Sequence, residues 1–180
     1  PVCYRAARND GMMDAAFELV PRSEMFARTG IQFMQLNTVF QVFAHVREGL
    51  PRGARRLLLV PDLMGAMLSG RAVTEFSIGT TTQMFNASTG TWDQEMLARL
   101  GIPLELLCPV VPPGASLGPL LPEVVTETGL SGVDLVVPAA HDTGSAVAGA
   151  PLKSGWAYIS SGTWSLAGVE RTGALINDEV

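Results

Sequence analysis

The sequence predicts a mixed α/β fold, helix-rich at first and strand-bearing towards its end. Three observations predict it. Apolar residues recur at helical spacing through the first hundred positions. A run at Val133–Val137, apolar apart from Asp134, then reads as a buried strand. Beyond Trp156, two apolar strands face each other across Ser161-Gly162-Thr163 and predict a hairpin. Between the run and the hairpin, His141-Asp142-Thr143 puts an acidic side chain at a strand end and a helix start.

Each element follows from local signals. Residues 1–8 read as a short strand or loop. Asp10 is a candidate cap for a helix over Met12–Val20, apolar at Met13, Ala16, Phe17 and Val20, and Pro21 stops it. Ser23 is a candidate cap for a second helix that ends at Gly30, a C′ glycine. Asn37 starts the clearest helix, Thr38–Glu48, with an apolar stripe of Val39, Val42, Phe43 and Val46, closed by Gly49-Leu50-Pro51. His45 sits towards its polar side without a second metal ligand at suitable spacing, and reads as a surface histidine. The apolar stretch 55–60 leads into Pro61-Asp62, with proline in the first turn of a helix that Gly70 ends.

Residues 72–77 alternate like an edge strand, and Thr80-Thr81-Thr82 begins a short turn or helix. Asn86–Thr91 is a polar loop, Trp92-Asp93 introduces a helix to Leu100, and Gly101 stops it. Pro109–Pro122 is a proline-rich connector. Pro122–Thr128 is a helix capped by Gly129, and the small residues from Ser145 to Ala150 read as a closely packed helix. The composition shift at residues 151–155 is the best domain boundary.

The 180 residues are 47% hydrophobic and 16% charged, the balance of a globular chain. A net charge of −5 leaves no basic stripe to neutralise phosphates, which argues against nucleic-acid and acidic-membrane partners. The densest basic cluster, Arg52, Arg55 and Arg56, reads as a solvated loop and helix start. Two distant cysteines, Cys3 and Cys108, do not make a disulfide scaffold and point to a reducing compartment. Neither a secretory signal nor a membrane-length apolar run is visible. The absence of an initial methionine, and an end at Val180 in mid-sequence style, read as an internal piece of a longer protein.

Two short motifs compete for attention. Gly114-Ala115-Ser116-Leu117-Gly118 has the spacing of a hydrolase nucleophile elbow, but the flanking Pro112-Pro113 and Pro119 leave no helix to follow it. Asp142-Thr143-Gly144-Ser145 matches the aspartic-protease tetrapeptide. That mechanism needs a second carboxylate to share its proton, and the chain carries one such motif. The bland alternatives are a helix cap at Asp142-Thr143 and a plain turn at Ser161-Gly162-Thr163. Taken together, the two suit phosphoryl transfer to a hydroxyl. A strand-end carboxylate serves as general base, while a glycine-bearing turn and a threonine hydroxyl approach phosphate oxygens.

These residues resemble the FGGY family of carbohydrate kinases. The similarity lies in Tyr4-Arg5, in residues 28–33 with Asn37-Thr38, and in Pro61-Asp62 with Ser69-Gly70. It continues through Thr80-Thr81-Thr82-Gln83, Gly90-Thr91-Trp92-Asp93, His141-Asp142-Thr143 with Ser145-Ala146-Val147, and residues 157–166. It covers nearly the whole chain, and its specific parts are His-Asp-Thr and Ser-Ser-Gly-Thr-Trp-Ser.

The resemblance implies an actin-like ATPase fold of two ribonuclease-H-like domains, present here in part. Residues 1–152 would be most of the later part of a sugar-binding first domain, and residues 153–180 the opening hairpin of an ATP-binding second domain. It implies Asp142 as catalytic base, His141 and Thr143 as substrate-binding residues, and Gly162 and Thr163 as a cofactor-binding phosphate hairpin. ATP and Mg²⁺ are the implied cofactors and a ketose the implied partner. L-rhamnulose, converted to its 1-phosphate in cytoplasmic rhamnose breakdown, comes first; fuculose, xylulose or a catalytically silent sugar-binding scaffold are the alternatives. No oligomeric state is implied, and no metal ligands are assigned.

Two departures from the family pattern matter. Ala6 follows Tyr4-Arg5 where an acidic residue is usual, which bears on the sugar pocket. Gly144 stands where alanine is usual and should loosen the helix start by up to about 1 kcal/mol. A further phosphate hairpin is expected before Pro1 and an adenosine-binding segment after Val180, so the 180-residue piece alone is expected neither to bind ATP well nor to turn over.

Overall fold

The computed structural model describes residues 3–177; the opening of the 1–8 reading and the chain's last three residues lie outside them. After a 3₁₀ turn at Ala7–Asn9, the chain forms α1 (Met12–Leu19), α2 (Arg22–Thr29), α3 (Thr38–Glu48) and α4 (Val60–Ser69). A mixed segment follows: β1 (Thr74–Glu75), α5 (Phe76–Thr80), β2 (Phe85–Asn86), β3 (Thr91–Trp92) and α6 (Gln94–Arg99). The last part holds β4 (Val110–Val111), β5 (Ser116–Pro119), α7 (Pro122–Thr128), β6 (Asp134–Val136), α8 (Asp142–Gly149), β7 (Ala157–Ser161) and β8 (Ser165–Val169).

The helices end where the sequence says they should. Gly30 and Gly70 both adopt left-handed φ, at 65° and 74°, and their N–H groups close the last turns of α2 and α4. Helix α3 keeps its predicted bounds and buries Phe40 beside Val39, Val42 and Phe43. These pack with Ala16, Val20, Met25, Met84, Met96 and Leu97 into the main core. Phe17 meets Phe33 edge-on at 5.0 Å between ring centroids and Phe40 at 6.0 Å, sealing α1 against α3. His45 is half-buried, and burial lowers its pKa.

Several local expectations are overturned. Gly11, not Asp10, caps α1, because the Asp10 carboxylate is engaged by the Gln35 side-chain amide at 2.8 Å. Pro21 rather than Ser23 occupies the cap of α2. The strand within residues 72–77 is shorter and more enclosed than its alternation suggests: only Thr74 and Glu75 form it, both are buried, and they pair in parallel with Val110 and Val111. The proline-rich connector therefore contains strands. Pro109 and Pro112 flank β4, Pro119 ends β5 and Pro122 opens α7, positions that tolerate a missing N–H. Ser116 lies exposed on β5, accepting the Gly118 N–H, and heads no helix.

Strand β5 pairs antiparallel with β6 through a register shift between Ser116 and Gly118. The Val133–Val137 run is a strand only at its centre and is not buried throughout: Val137 is enclosed, with Val73 and Leu117, in a second small cluster, while Val133 and Val136 are exposed. The exposed Asp134 interrupts the run, and among the described residues the strand has one neighbour, β5. The hairpin β7–β8 forms as predicted, in register from Ala157 against Val169 to Ser161 against Ser165.

Candidate functional site

Strand β6 runs into Pro138, the chain turns, and α8 begins at Asp142 with His141 as its cap residue. Asp142 is thus the first helical residue and not a capping side chain. One of its oxygens, Oδ1, accepts the neighbouring Thr143 N–H at 2.7 Å. Its other oxygen has no partner among the described residues, and the side chain is exposed. The Asp142 carboxylate thus stands exposed at the N-terminus of α8, open to a polar ligand without the burial of a charge.

The segment leading to Asp142 is held from behind. Glu75 is fully buried at the end of β1. Its carboxylate accepts the Ser77 N–H (2.8 Å), the Ser77 hydroxyl (2.6 Å), the Ile78 N–H (3.1 Å) and, 65 positions on, the Ala140 N–H (3.0 Å). The Ser77 hydroxyl in turn accepts the His141 N–H at 3.1 Å. Burial works against the charge, but four donors outweigh it and hold the Glu75 carboxyl below the usual carboxylate range. The Glu75 N–H donates to Asp62 Oδ1 at 3.0 Å. Asp62 Oδ2 is buried with no partner, and burial pushes that carboxyl's pKa up. Behind this segment, Asp62, Val73, Leu117, Val137 and Ala140 line an apolar cavity of about 240 Å³.

A second cavity, of about 370 Å³, runs along α8 from His141 to Ala150 between helix and hairpin, with Asp142 next to its lining residues but not among them. His141, Thr143 and Gly144 line one side; Tyr158, Leu166 and Val169 line the other. Of the residues singled out in the sequence, the structure therefore brings His141 and Thr143 into one cavity with the hairpin's strands. Gly162 and Thr163 stand at the exposed tip, outside that lining.

The tip closes by a Gly162 N–H to Trp164 carbonyl bond of 3.0 Å. Gly162 is outside the left-handed region, and a Cβ there would meet nothing closer than the Trp164 oxygen at 3.9 Å. The turn itself does not need glycine. Open space, exposed backbone and the neighbouring threonine hydroxyl suit a phosphate group. Among the described residues no three His, Cys, Asp or Glu side chains gather to hold a metal ion.

Asp62, Glu75 and Ser77 are the polar residues that reading the sequence missed as part of this region. The signal available was Glu-x-Ser at a strand end, which also satisfies a cap: Glu75 accepts from Ser77 and Ile78 at the start of α5. What it holds across the fold is backbone, which no side-chain pattern announces.

A family model described as the FGGY family of carbohydrate kinases, N-terminal domain, matches residues 2–149. The chain is 40% identical over 171 residues to the rhamnulokinase of Oceanobacillus iheyensis and 39% identical over 178 residues to that of Bacillus subtilis. These alignments cover 94% and 98% of the chain, which spans about 36% of the length of either relative. Among solved structures, a carbohydrate kinase from Novosphingobium aromaticivorans superposes with a TM-score of 0.69 at 25% identity, over 88% of this chain and 35% of that one. A ligand-bound xylulose kinase from Lactobacillus acidophilus gives 0.68 at 19% identity, over 76% of this chain and 29% of that one, which speaks to the fold alone. The mixed helix and strand architecture is thus part of the actin-like ATPase fold of these sugar kinases. With the family model spanning the core, the β5–β6 pair and α8 alike, the chain belongs to the FGGY family of carbohydrate kinases.

Proposed function

We propose that the complete protein carrying this chain transfers the γ-phosphoryl group of ATP to a ketose, and that the ketose is L-rhamnulose, giving L-rhamnulose 1-phosphate and ADP. The observation that carries the reading is the exposed Asp142 carboxylate at the head of α8, on a segment anchored from behind and beside a cavity lined by His141 and Thr143. The substrate follows from the relatives named rhamnulokinase that align along nearly the whole chain.

In this reading Asp142 takes the proton from the sugar's attacking hydroxyl as the oxygen–phosphorus bond forms and ADP leaves with the bond it breaks. His141 and Thr143 hydrogen-bond the sugar and fix which hydroxyl faces Asp142. Gly162 and Thr163 hold phosphate oxygens of the nucleotide, whose Mg²⁺ neutralises charge. Residues up to 152 form part of the sugar-binding domain and those from 153 open the ATP-binding one, in keeping with a family match that ends at 149. Exposed Trp156, Ile159, Trp164 and Val169 on the hairpin fit a sheet that further strands extend.

No helix among the described residues is long and apolar enough to cross a membrane. A cytoplasmic site for the reaction follows from its need for ATP. The test is ADP release by the complete protein with ATP, Mg²⁺ and a panel of L-rhamnulose, L-fuculose and D-xylulose. The highest kcat/KM is expected with L-rhamnulose. ADP release with none of the three, or sugar binding without it, would overturn the proposal.

A further inference from the structure

We infer that Glu75 and Ser77 form a positioning clamp for the catalytic base, setting the reach of Asp142 towards the sugar without touching the sugar; this rests on the general-base reading of Asp142. The two N–H groups that immediately precede Asp142 in the chain both end on this pair. Ala140 donates to Glu75 at 3.0 Å and His141 to Ser77 Oγ at 3.1 Å.

The direction of the relay is fixed by proton count. Ser77 has one hydroxyl proton, and it goes to Glu75 at 2.6 Å, so towards His141 the hydroxyl can only accept. Glu75 is fully enclosed and its backbone is itself held by Asp62, so the clamp has little freedom to follow a displaced loop. The site thus joins two parts of the chain more than sixty residues apart through hydrogen bonds to backbone. A general base needs this kind of support, because it must sit within hydrogen-bond reach of the proton it removes. A misplacement on the order of 1 Å costs on the order of a hundredfold in rate.

An amide at position 75 supplies one acceptor oxygen where the carboxylate uses two, and alanine at position 77 removes both the acceptor for the His141 N–H and the hydroxyl's own donation to Glu75. The experiment measures kcat and both KM values in the complete protein for Glu75→Gln, Ser77→Ala and Ser77→Thr. Each is made alone and combined with Asp142→Asn. Ser77→Ala is expected to lower kcat about tenfold to a hundredfold with the KM for ATP unchanged. Ser77→Thr, which keeps the hydroxyl, should restore most of the rate. In the Asp142→Asn background, Glu75→Gln and Ser77→Ala should lower kcat by no more than about twofold further, since residues acting through one another are not additive.

Wild-type kcat in Ser77→Ala, or the full drop repeated on top of Asp142→Asn, would overturn the clamp. Normal turnover by Asp142→Asn alone would remove the general-base reading and the clamp with it, and that outcome is read from the single variant.

Discussion

Gly144 lies against the imidazole of His141: a Cβ built on residue 144 would stand 3.3 Å from His141 Nδ1. Glycine loosens a helix, and this one falls in the first turn of α8. Two effects of opposite sign meet at one position. Ala at 144 should stabilise the helix by up to about 1 kcal/mol relative to glycine, and the ring need move only a few tenths of an ångström to admit the methyl. The stabilisation should win. Gly144→Ala is therefore expected to raise the unfolding midpoint and to shift the His141 ring signals in an NMR spectrum. A lowered midpoint would mean that the ring is held too firmly to yield.

Gly162 presents the opposite case. Its surroundings leave room for a methyl group and its backbone is not left-handed, so Gly162→Ala should leave the unfolding midpoint unchanged. If the hairpin tip contacts nucleotide phosphates, the same change should raise the KM for ATP severalfold while sparing the KM for sugar. Unchanged KM for ATP would remove Gly162 from the phosphate site.

Gln83 combines a left-handed backbone (φ 60°) with complete burial, and its side chain ties two loops together. The amide donates to the Ile31 carbonyl at 2.9 Å and accepts from Asn37 Nδ2 at 2.7 Å. Gln83→Leu leaves the Ile31 carbonyl without that donor, and a buried polar group so orphaned costs about 1–3 kcal/mol. Denaturant unfolding should show a loss of that size. Wild-type stability would contradict it.

Two of the buried carboxylates, Asp62 and Glu75, respond to pH in opposite directions. Asp62 carries an unpartnered oxygen, and burial raises its pKa, so its contribution to stability is present at low pH and is lost as pH rises through its folded value. Burial also disfavours the charge on Glu75, but its hydrogen bonds prevail and lower the pKa; its contribution is present at neutral pH and lost as pH falls below the usual carboxylate range. Asp62→Asn keeps an acceptor for the Glu75 N–H and removes the buried charge. It should raise the midpoint at pH 7, by a margin that shrinks on acidification through the Asp62 titration. A lowered midpoint at pH 7 would show that the Asp62 charge is compensated in the complete protein.

What the sequence made legible follows from the range of each signal. Helix α3 was readable to its ends because stripe, entry and closing glycine lie within a dozen residues. The hairpin, with its turn residues between two apolar runs, was equally local. Asp10 failed as a cap because Gln35, far along the chain, takes its carboxylate. The parallel pairing of Thr74 with Val110 was invisible, since two-residue strands carry no periodicity. His141-Asp142-Thr143 stood out as a strand-to-helix junction. The clamp of Glu75 and Ser77 did not, because it grips backbone groups that every residue possesses.

In the proposed reaction Asp142 removes the sugar's proton. Steady-state turnover of Asp142→Asn in the complete protein, with L-rhamnulose and ATP and with sugar affinity measured in parallel, tests it most directly. Loss of the base should lower kcat by roughly 10²–10⁴ with sugar binding retained. Turnover close to that of the unaltered protein would contradict it.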